Sequence, residues 1–448
     1  MTHEPHDHPS SVAAGDMIDV LVVGGGPAGT VAAIQAARAG ARTVLVEKNG
    51  SLGGTTTSAG INFPGLFHAW GGQVIAGIGW DLVSDTVRLA GEQLPDFSRV
   101  DLPHWRLQIR VNVPLYTAVL SEAVHAAGVD LHLHTMLAEL SWSGSHWDVT
   151  LCGKDGLEHV RASRVVDCSG DADAVGLAGL ARHRNEARQP GTLAVLFGGY
   201  DVERLDYRLL DEAYDRAIAD GSIRAADFGA SGHVLEPFLR KHGENAIHLP
   251  GIDGSTSAGR TAAEIDARAA LLRIYRFLKP LPGLEGLTVT YGAIEAGVRE
   301  SMTIEGVRRL TGAEYLSGRV WDDAVCYSYY PIDIHRPDGD GIAKTYLERG
   351  RVATIPLSTM LPRENRNIIV AGRCISGDQE ANSASRVQAT AMATGQAAGA
   401  AAALAARLGV AIDEVPRSAL RELLSSNGAI VPEVETRGAM DAPSRVPA

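Results

Sequence analysis

Apolar residues along this chain fall in short unbroken runs, several of them followed closely by glycine, instead of in long amphipathic stripes. Residues 18–23 (IDVLVV) form the first run, as expected of a parallel strand covered on both faces. Gly24-Gly25-Gly26-Pro27-Ala28-Gly29 follows directly, and residues 30–39 then read as a small-residue helix stopped by Gly40. A second strand is expected over 42–46, closing on Glu47. Together these make a β-α-β unit.

Farther on, residues 113–127 read as a helix leading into a strand at 130–133, and His132 and His134 alternate as a polar face of LHLHTML. Alternation at 147–151, a Lys154-Asp155-Gly156 turn and an apolar run at 164–166 predict a hairpin ending in another covered strand. Residues 176–355 are less regular and more polar, with a helix expected at 261–277 among glycine- and proline-rich loops. Residues 367–371 (NIIVA) give one more covered strand, then Gly372 and an alanine-rich stretch over 387–406. Gln388, Thr390, Thr394, Gly395, Gln396 and Gly399 make that stretch a helix buried in protein, not a membrane span.

The pattern predicts an α/β fold: a Rossmann-like domain in three sequence segments with an inserted α+β substrate domain. Residues 1–16 read as a tail, and 17–175 as the first two segments with an insertion at 61–110. The substrate or cap domain is expected at 176–355, the third segment with C-terminal helices at 356–431, and a second tail at 432–448.

Composition adds to this. Glycine supplies 50 of 448 residues, above the usual ~7%, and close approach of backbone to a ligand is one reason for such a surplus. A net charge of −12 without any lysine–arginine cluster opposes nucleic-acid binding. Cys152, Cys168, Cys326 and Cys374 form no C-x-x-C, which excludes a dithiol motif and a thiolate zinc site and fits reduced cytosolic thiols. The first residues lack the charged-then-apolar pattern of a leader, so a cytoplasmic protein that does not enter membranes is expected. His3, His6 and His8 are read as part of a solvated tail, and no metal is expected.

A lone G-x-G-x-x-G is weak, but Gly24, Gly26 and Gly29 lie between a strand and a helix, and Glu47 closes the next strand. The first glycine makes the turn, the second admits a pyrophosphate to the backbone, and the third lets helix and strand pack closely. Glu47 would bind ribose hydroxyls and repel a 2′-phosphate, which disfavours NADP. Lys48 and a second glycine pair in Gly53-Gly54-Thr55-Thr56 suit a longer cofactor than a nicotinamide dinucleotide. Two more strand-to-glycine junctions, at Asp167-Cys168-Ser169-Gly170 and Gly372-Arg373, complete three in the order of an FAD-binding two-dinucleotide-domain flavoprotein.

The segments GGGPAG, LGGTTTSAG, VVDCSGDADAV, GVRESMTIEGVRRLTG, WDDAVCYSYYPIDIH, IPLSTMLP and NIIVAGRCISGDQEANSASRVQ resemble the bacterial FAD-dependent oxidoreductases, distant relatives of the succinate dehydrogenase and fumarate reductase flavoproteins. The resemblance runs from about residue 18 to 430. It implies that Gly24, Gly26, Pro27, Ala28, Gly29, Glu47 and Lys48 hold the ADP half of FAD. It places Gly53, Gly54, Thr55 and Thr56 along the pyrophosphate and flavin, Leu137 against adenine, and Asp167, Ser169 and Gly170 beside the ADP moiety. Many relatives carry an acidic residue for the ribityl chain where Arg373 follows Gly372, and Asp378 is taken as its substitute. The flavin is expected to be non-covalent, since no histidine lies within 48–62.

Arg386 is expected to open the alanine-rich helix, where a guanidinium and a helix N-terminus would favour negative charge on reduced flavin. In the inserted segment Arg299 would bind a carboxylate or polarise a carbonyl. His335 would move a proton near neutral pH, with Tyr330 or Tyr329 as alternative acids. A competing reading joins Arg299, Glu300, Asp333 and His335 into a structural ion network. His68 is a loop histidine or a neighbour of the isoalloxazine. No second strand with G-x-G-x-x-G occurs, so no separate NAD(P)H domain is expected. The electron partner (oxygen, a quinone, a carrier protein or nicotinamide) and homo-oligomer formation stay open.

The expectation is an FAD-dependent oxidoreductase, a dehydrogenase, reductase or oxidase, moving a hydride between a small organic substrate and flavin N5 in secondary metabolism or catabolism. The alternatives are a non-redox FAD-scaffold protein or isomerase, and an RNA-modifying flavoprotein.

Overall fold

The computed structural model describes residues 17–230 and 232–434. The N-terminal histidines, and most of the second expected tail, lie outside the described residues. The elements that position the site are β1 (Met17–Val23), α1 (Pro27–Arg38), β2 (Thr43–Glu47), α2 (Val113–Ala126), β3 (Asp130–Leu133), β4 (Met136–Trp142), β5 (Trp147–Gly153) and β6 (Gly156–Asp167). They continue with β7 (Gly191–Gly198), β8 (Gly243–Leu249), α3 (Ser257–Leu278), β9 (Thr288–Gly292), β10 (Ile332–His335), β11 (Ile368–Val370), α4 (Gln379–Ser385) and α5 (Gln388–Leu408). Helix α1 begins three residues earlier than expected because Pro27, with its fixed φ and missing N–H, suits a first helical turn.

Strand β6 is the pivot of the main sheet. Its first half pairs antiparallel with β5, and its last residues pair parallel with β1 on one side and β11 on the other. The parallel part therefore runs β3-β2-β1-β6-β11, with β5 and β4 continuing from β6 as an antiparallel meander. Register matters here: Val23 lies level with Val46 and Asp167, and Val370 lies level with Asp167. Gly24, Glu47, Cys168 and Ala371 consequently emerge side by side at the carboxyl ends of the strands, where open α/β sheets bind ligands.

His134 departs from expectation. The strand ends at Leu133, and His134 turns out of it at φ +55°, donating its backbone N–H to Asn49 O at 3.2 Å. His132 remains on β3, 3.1 Å from Asp130.

Helix α5 is buried along most of its length and packs on α1. A Cβ at Gly395 would lie 2.1 Å from Ala28 O, and one at Gly399 would lie 2.2 Å from Ala32 O. These small residues therefore let α5 pack closely on α1.

A second core gathers around the sheet β8-β7-β9, with α3 packed on it, and its buried members run from Leu193 to Val298. Buried residues from Ile304 to Leu361 join the first core instead. The second core is thus shorter than the expected 176–355 segment, because the chain returns to the first core after about residue 300. Among the described residues, no helix is long and apolar enough to cross a membrane.

Candidate functional site

The strand ends and the second core enclose a cleft of ≈ 280 Å³. At one end stand the glycine turn and Glu47. Gly24 adopts φ +97°, and a Cβ on it would lie 2.7 Å from Cys168 O, so the turn and the end of β6 meet backbone to backbone. A Cβ on Gly29 would lie 1.7 Å from Gly24 O, whereas one on Gly26 would meet nothing within 4 Å and would project into the cleft. No side chain caps α1, which leaves first-turn N–H groups for a phosphate.

The Glu47 carboxylate accepts Gly25 N–H at 2.6 Å and Asn49 N–H at 2.8 Å. Burial raises its pKa, and these N–H groups and Lys48 oppose the rise. Asp167 is fully buried and accepts Ser169 N–H at 3.0 Å, the Ser169 hydroxyl at 2.7 Å and Val175 N–H at 3.0 Å, shaping the turn through Gly170. The open Cβ position at Gly26, beside an uncapped helix end and a fixed carboxylate, fits the ADP half of FAD.

Gly24, Gly26, Pro27, Ala28, Glu47, Lys48, Gly54, Thr55, Ser169, Gly170, Gly372, Arg373 and Arg386 line the cleft, as do Arg299, Tyr330 and His335. Gly29, Gly53, Thr56 and Asp167 stand behind the lining as its support, Thr56 donating to Gln388 Oε1 at 2.5 Å. Two more of the expected cofactor residues are not among those that line the cleft. Leu137 lies within β4, paired with Leu151. Asp378 is the N-cap of α4, its carboxylate accepting Ala381 N–H at 2.8 Å and Gly312 N–H at 3.0 Å.

Arg373 belongs to a charge cluster. It donates to Gly170 O at 2.6 Å, to Val298 O and to Asp171 at 2.6 Å. Arg260, from α3, donates to the other Asp171 oxygen at 2.8 Å, which ties the second core to the first. Burial alone would raise the Asp171 pKa, but Arg373 and Arg260 outweigh it and hold the carboxyl below its ordinary value.

At the other end Arg299, Tyr330, Asp333, His335 and Arg386 converge with Gln108. Arg386 is the C-cap of α4 and Val387 the N-cap of α5, so Arg386 sits at a helix junction instead of opening the long helix. It donates to Arg299 O at 3.2 Å, and to Gln189 Oε1 and Asp333 O at 3.1 Å each. Tyr330 receives Gln108 Nε2–H at 3.2 Å, and burial pushes its phenol up to about 12. Burial and Arg386 push Arg299 down to about 9.

His335 differs from expectation. Burial, with Arg299 and Arg386 nearby, drives its pKa far below the ordinary value, so the ring is neutral and does not titrate near pH 7. Its buried Nδ1 has no hydrogen-bond partner. The expected ion network also differs: among the described residues Glu300 hydrogen-bonds amides alone, namely Gln189 N–H (2.8 Å), Gln189 Nε2–H (3.0 Å) and Gln379 Nε2–H (2.8 Å). His68 stacks on Phe97 at 3.7 Å and is not in the cleft lining.

Gln189 went unnoticed in the sequence. It is buried and links three partners, since its Oε1 accepts both Arg386 and His335 N–H while its nitrogens bind Glu300. A single glutamine in a polar stretch carries no periodic or motif signal.

A family model described as FAD dependent oxidoreductase matches residues 19–424. The chain belongs to this family. As an FAD dependent oxidoreductase it is an enzyme with FAD as cofactor, on a mixed α/β fold with a parallel-sheet core. Over shorter stretches it is similar to the dihydrolipoyl dehydrogenase of Trypanosoma brucei brucei, 58% identical over 52 residues, 11% of each chain. It is also similar to the leghemoglobin reductase of Glycine max, 52% identical over 55 residues, 12% of this chain and 10% of that one. The matches span only about a tenth of these curated relatives. Among solved structures, a geranylgeranyl bacteriochlorophyll reductase-like protein from Thermoplasma acidophilum aligns over 92% of this chain and 83% of its own, at 12% identity and TM-score 0.44.

Proposed function

We propose that this oxidoreductase dehydrogenates or reduces a small organic substrate held at the Arg299–Arg386 end of the cleft. The observation that carries the reading is that one cleft joins two ends: a glycine turn suited to pyrophosphate, and a cluster of donors containing Arg299, Arg386, Tyr330 and neutral His335. When bound, FAD supplies a carrier for the hydride. Gly24–Gly29, Glu47, Ser169–Gly170 and Gly372 would hold it, and Gly54, Thr55 and Arg386 would line its reactive part. Arg386 contributes positive charge in a partly desolvated setting, where charge acts strongly. Arg299 binds or polarises an oxygen of the substrate. Tyr330, neutral at physiological pH, is a proton donor, and neutral His335, with its unpartnered Nδ1, is an acceptor.

The test is an anaerobic screen of the yellow protein for bleaching of its flavin band by candidate substrates. Arg386→Ala is expected to keep most FAD and slow bleaching by about a hundredfold, as for loss of a charge-stabilising donor. Unchanged bleaching in Arg386→Ala and in Tyr330→Phe would remove both residues from the chemistry.

A further inference from the structure

Two guanidinium groups meet at the substrate end, and neither hydrogen-bonds to a carboxylate. Arg299 spends Nη1 on two main-chain carbonyls, Pro190 O at 2.7 Å and Gly191 O at 2.9 Å. Arg386 is anchored by Arg299 O, Gln189 Oε1 and Asp333 O, all neutral acceptors. Of the nearby acids, Glu300 is engaged elsewhere, and Asp333 lines the same cleft, where its charge acts on both guanidiniums without a hydrogen bond to either. Glu300 is saturated by amide N–H groups from Gln189 and Gln379. Asp333 gives Arg386 only its main-chain oxygen, and its Oδ1 lies 3.7 Å from His335 Nε2 without a hydrogen bond.

Arg299 Nε and Nη2 take no acceptor among the described residues, and Arg299 lines the cleft. Such an edge is a flat pair of donors that matches two carboxylate oxygens at once, whereas a lone carbonyl oxygen satisfies one of them. A partly desolvated cation whose hydrogen bonds all go to neutral acceptors, with Asp333 acting on it only through space, gains from an anion that arrives with the ligand and bonds it directly. Its depressed pKa agrees.

We propose that the free edge of Arg299 is the binding site for the carboxylate of an organic-acid substrate. This rests on the oxidoreductase reading and narrows its substrate class from small organic molecules to organic anions. Arg386 remains on the cofactor side, and Tyr330 and His335 remain for the proton.

The test titrates FAD-loaded enzyme with acetate, crotonate and benzoate, and in parallel with acetamide, crotonamide and benzamide. Binding is read from perturbation of the flavin absorption and from the thermal midpoint. At least one acid is expected to bind about tenfold or more tighter than its amide, since the bond is made to a charged partner. Arg299→Gln is expected to abolish that preference, and Arg299→Lys to keep part of it, with FAD content reporting that each variant folds. Failure of every acid to bind, or equal binding of acids and amides by the wild-type enzyme, overturns the proposal without need of any variant. An undiminished acid preference in Arg299→Gln overturns it too. Flavin bleached only by neutral substrates would sink the carboxylate site while leaving the redox reading intact. Acid preference in an enzyme whose flavin no substrate bleaches would support the site and sink the redox reading.

Discussion

Gly26 and Gly29 are three residues apart and resist a side chain for opposite reasons. A methyl at Gly29 would collide with Gly24 O, a main-chain atom that cannot swing away, whereas a methyl at Gly26 meets no protein atom and enters the cleft. Gly29→Ala is therefore expected to lower the thermal midpoint even of FAD-free protein. Gly26→Ala should leave that midpoint unchanged and weaken FAD binding by about tenfold or more, read as a lower flavin-to-protein absorbance ratio. Replacing Gln189 with methionine strips the acceptor from Arg386 and His335 N–H and the side-chain donor from Glu300, while the main-chain N–H to Glu300 stays. A cost of about 1–3 kcal/mol in unfolding free energy is expected, measured by denaturant titration. These cases also mark what is legible at this scale. Gly24, Gly26 and Glu47 were readable because a backbone constraint writes itself into residue type at fixed spacing. Gln189 and Asp378 were not, because an amide hub and an N-cap acquire their roles only from neighbours over a hundred positions away or from a helix start that the sequence did not announce.

Strands β1, β2 and β11 were readable because each is buried on both faces and appears as an unbroken apolar run. The join between α4 and α5 was not, since both helices consist of small residues and the break falls at Arg386–Val387 without glycine or proline. The small residues of α5 divide by face: Gly395 and Gly399 meet α1, while Ala391 lines the cleft. Gly399→Val tests this contact: it drives side-chain atoms into Ala32 O, and overpacking of this kind costs about 1–3 kcal/mol. A lower thermal midpoint with FAD stoichiometry retained in the surviving folded fraction is the expected result.

At the scale of the molecule, the polar loops after residue 300 gave no sign of which core they would join, because membership depends on long-range packing. Acid sensitivity also belongs to this scale. Burial pushes His248 down to about 4, and likewise His68 and His104, so the folded protein keeps these rings neutral while the unfolded chain protonates them near 6.5. The stabilisation is fully present above pH 6.5 and is lost as pH falls toward 4. For His248, which is 5% exposed, the loss is about 2 kcal/mol at pH 5. Denaturant midpoints at pH 7 and pH 5 should therefore drop less in His248→Gln than in the wild type.

The double pairing of β6 has a consequence in time. Its outer edge is closed by Ile368–Val370, residues synthesised after every member of the second core. A chain growing from its N-terminus can complete the β8-β7-β9 sheet while the carboxyl half of β6 still presents unpaired N–H and C=O groups on one side. An open edge of that kind recruits strands from other molecules. Nascent chains halted before Ile368 are consequently the form of this protein most exposed to aggregation, and a chaperone's protection is needed most in the interval between the two cores.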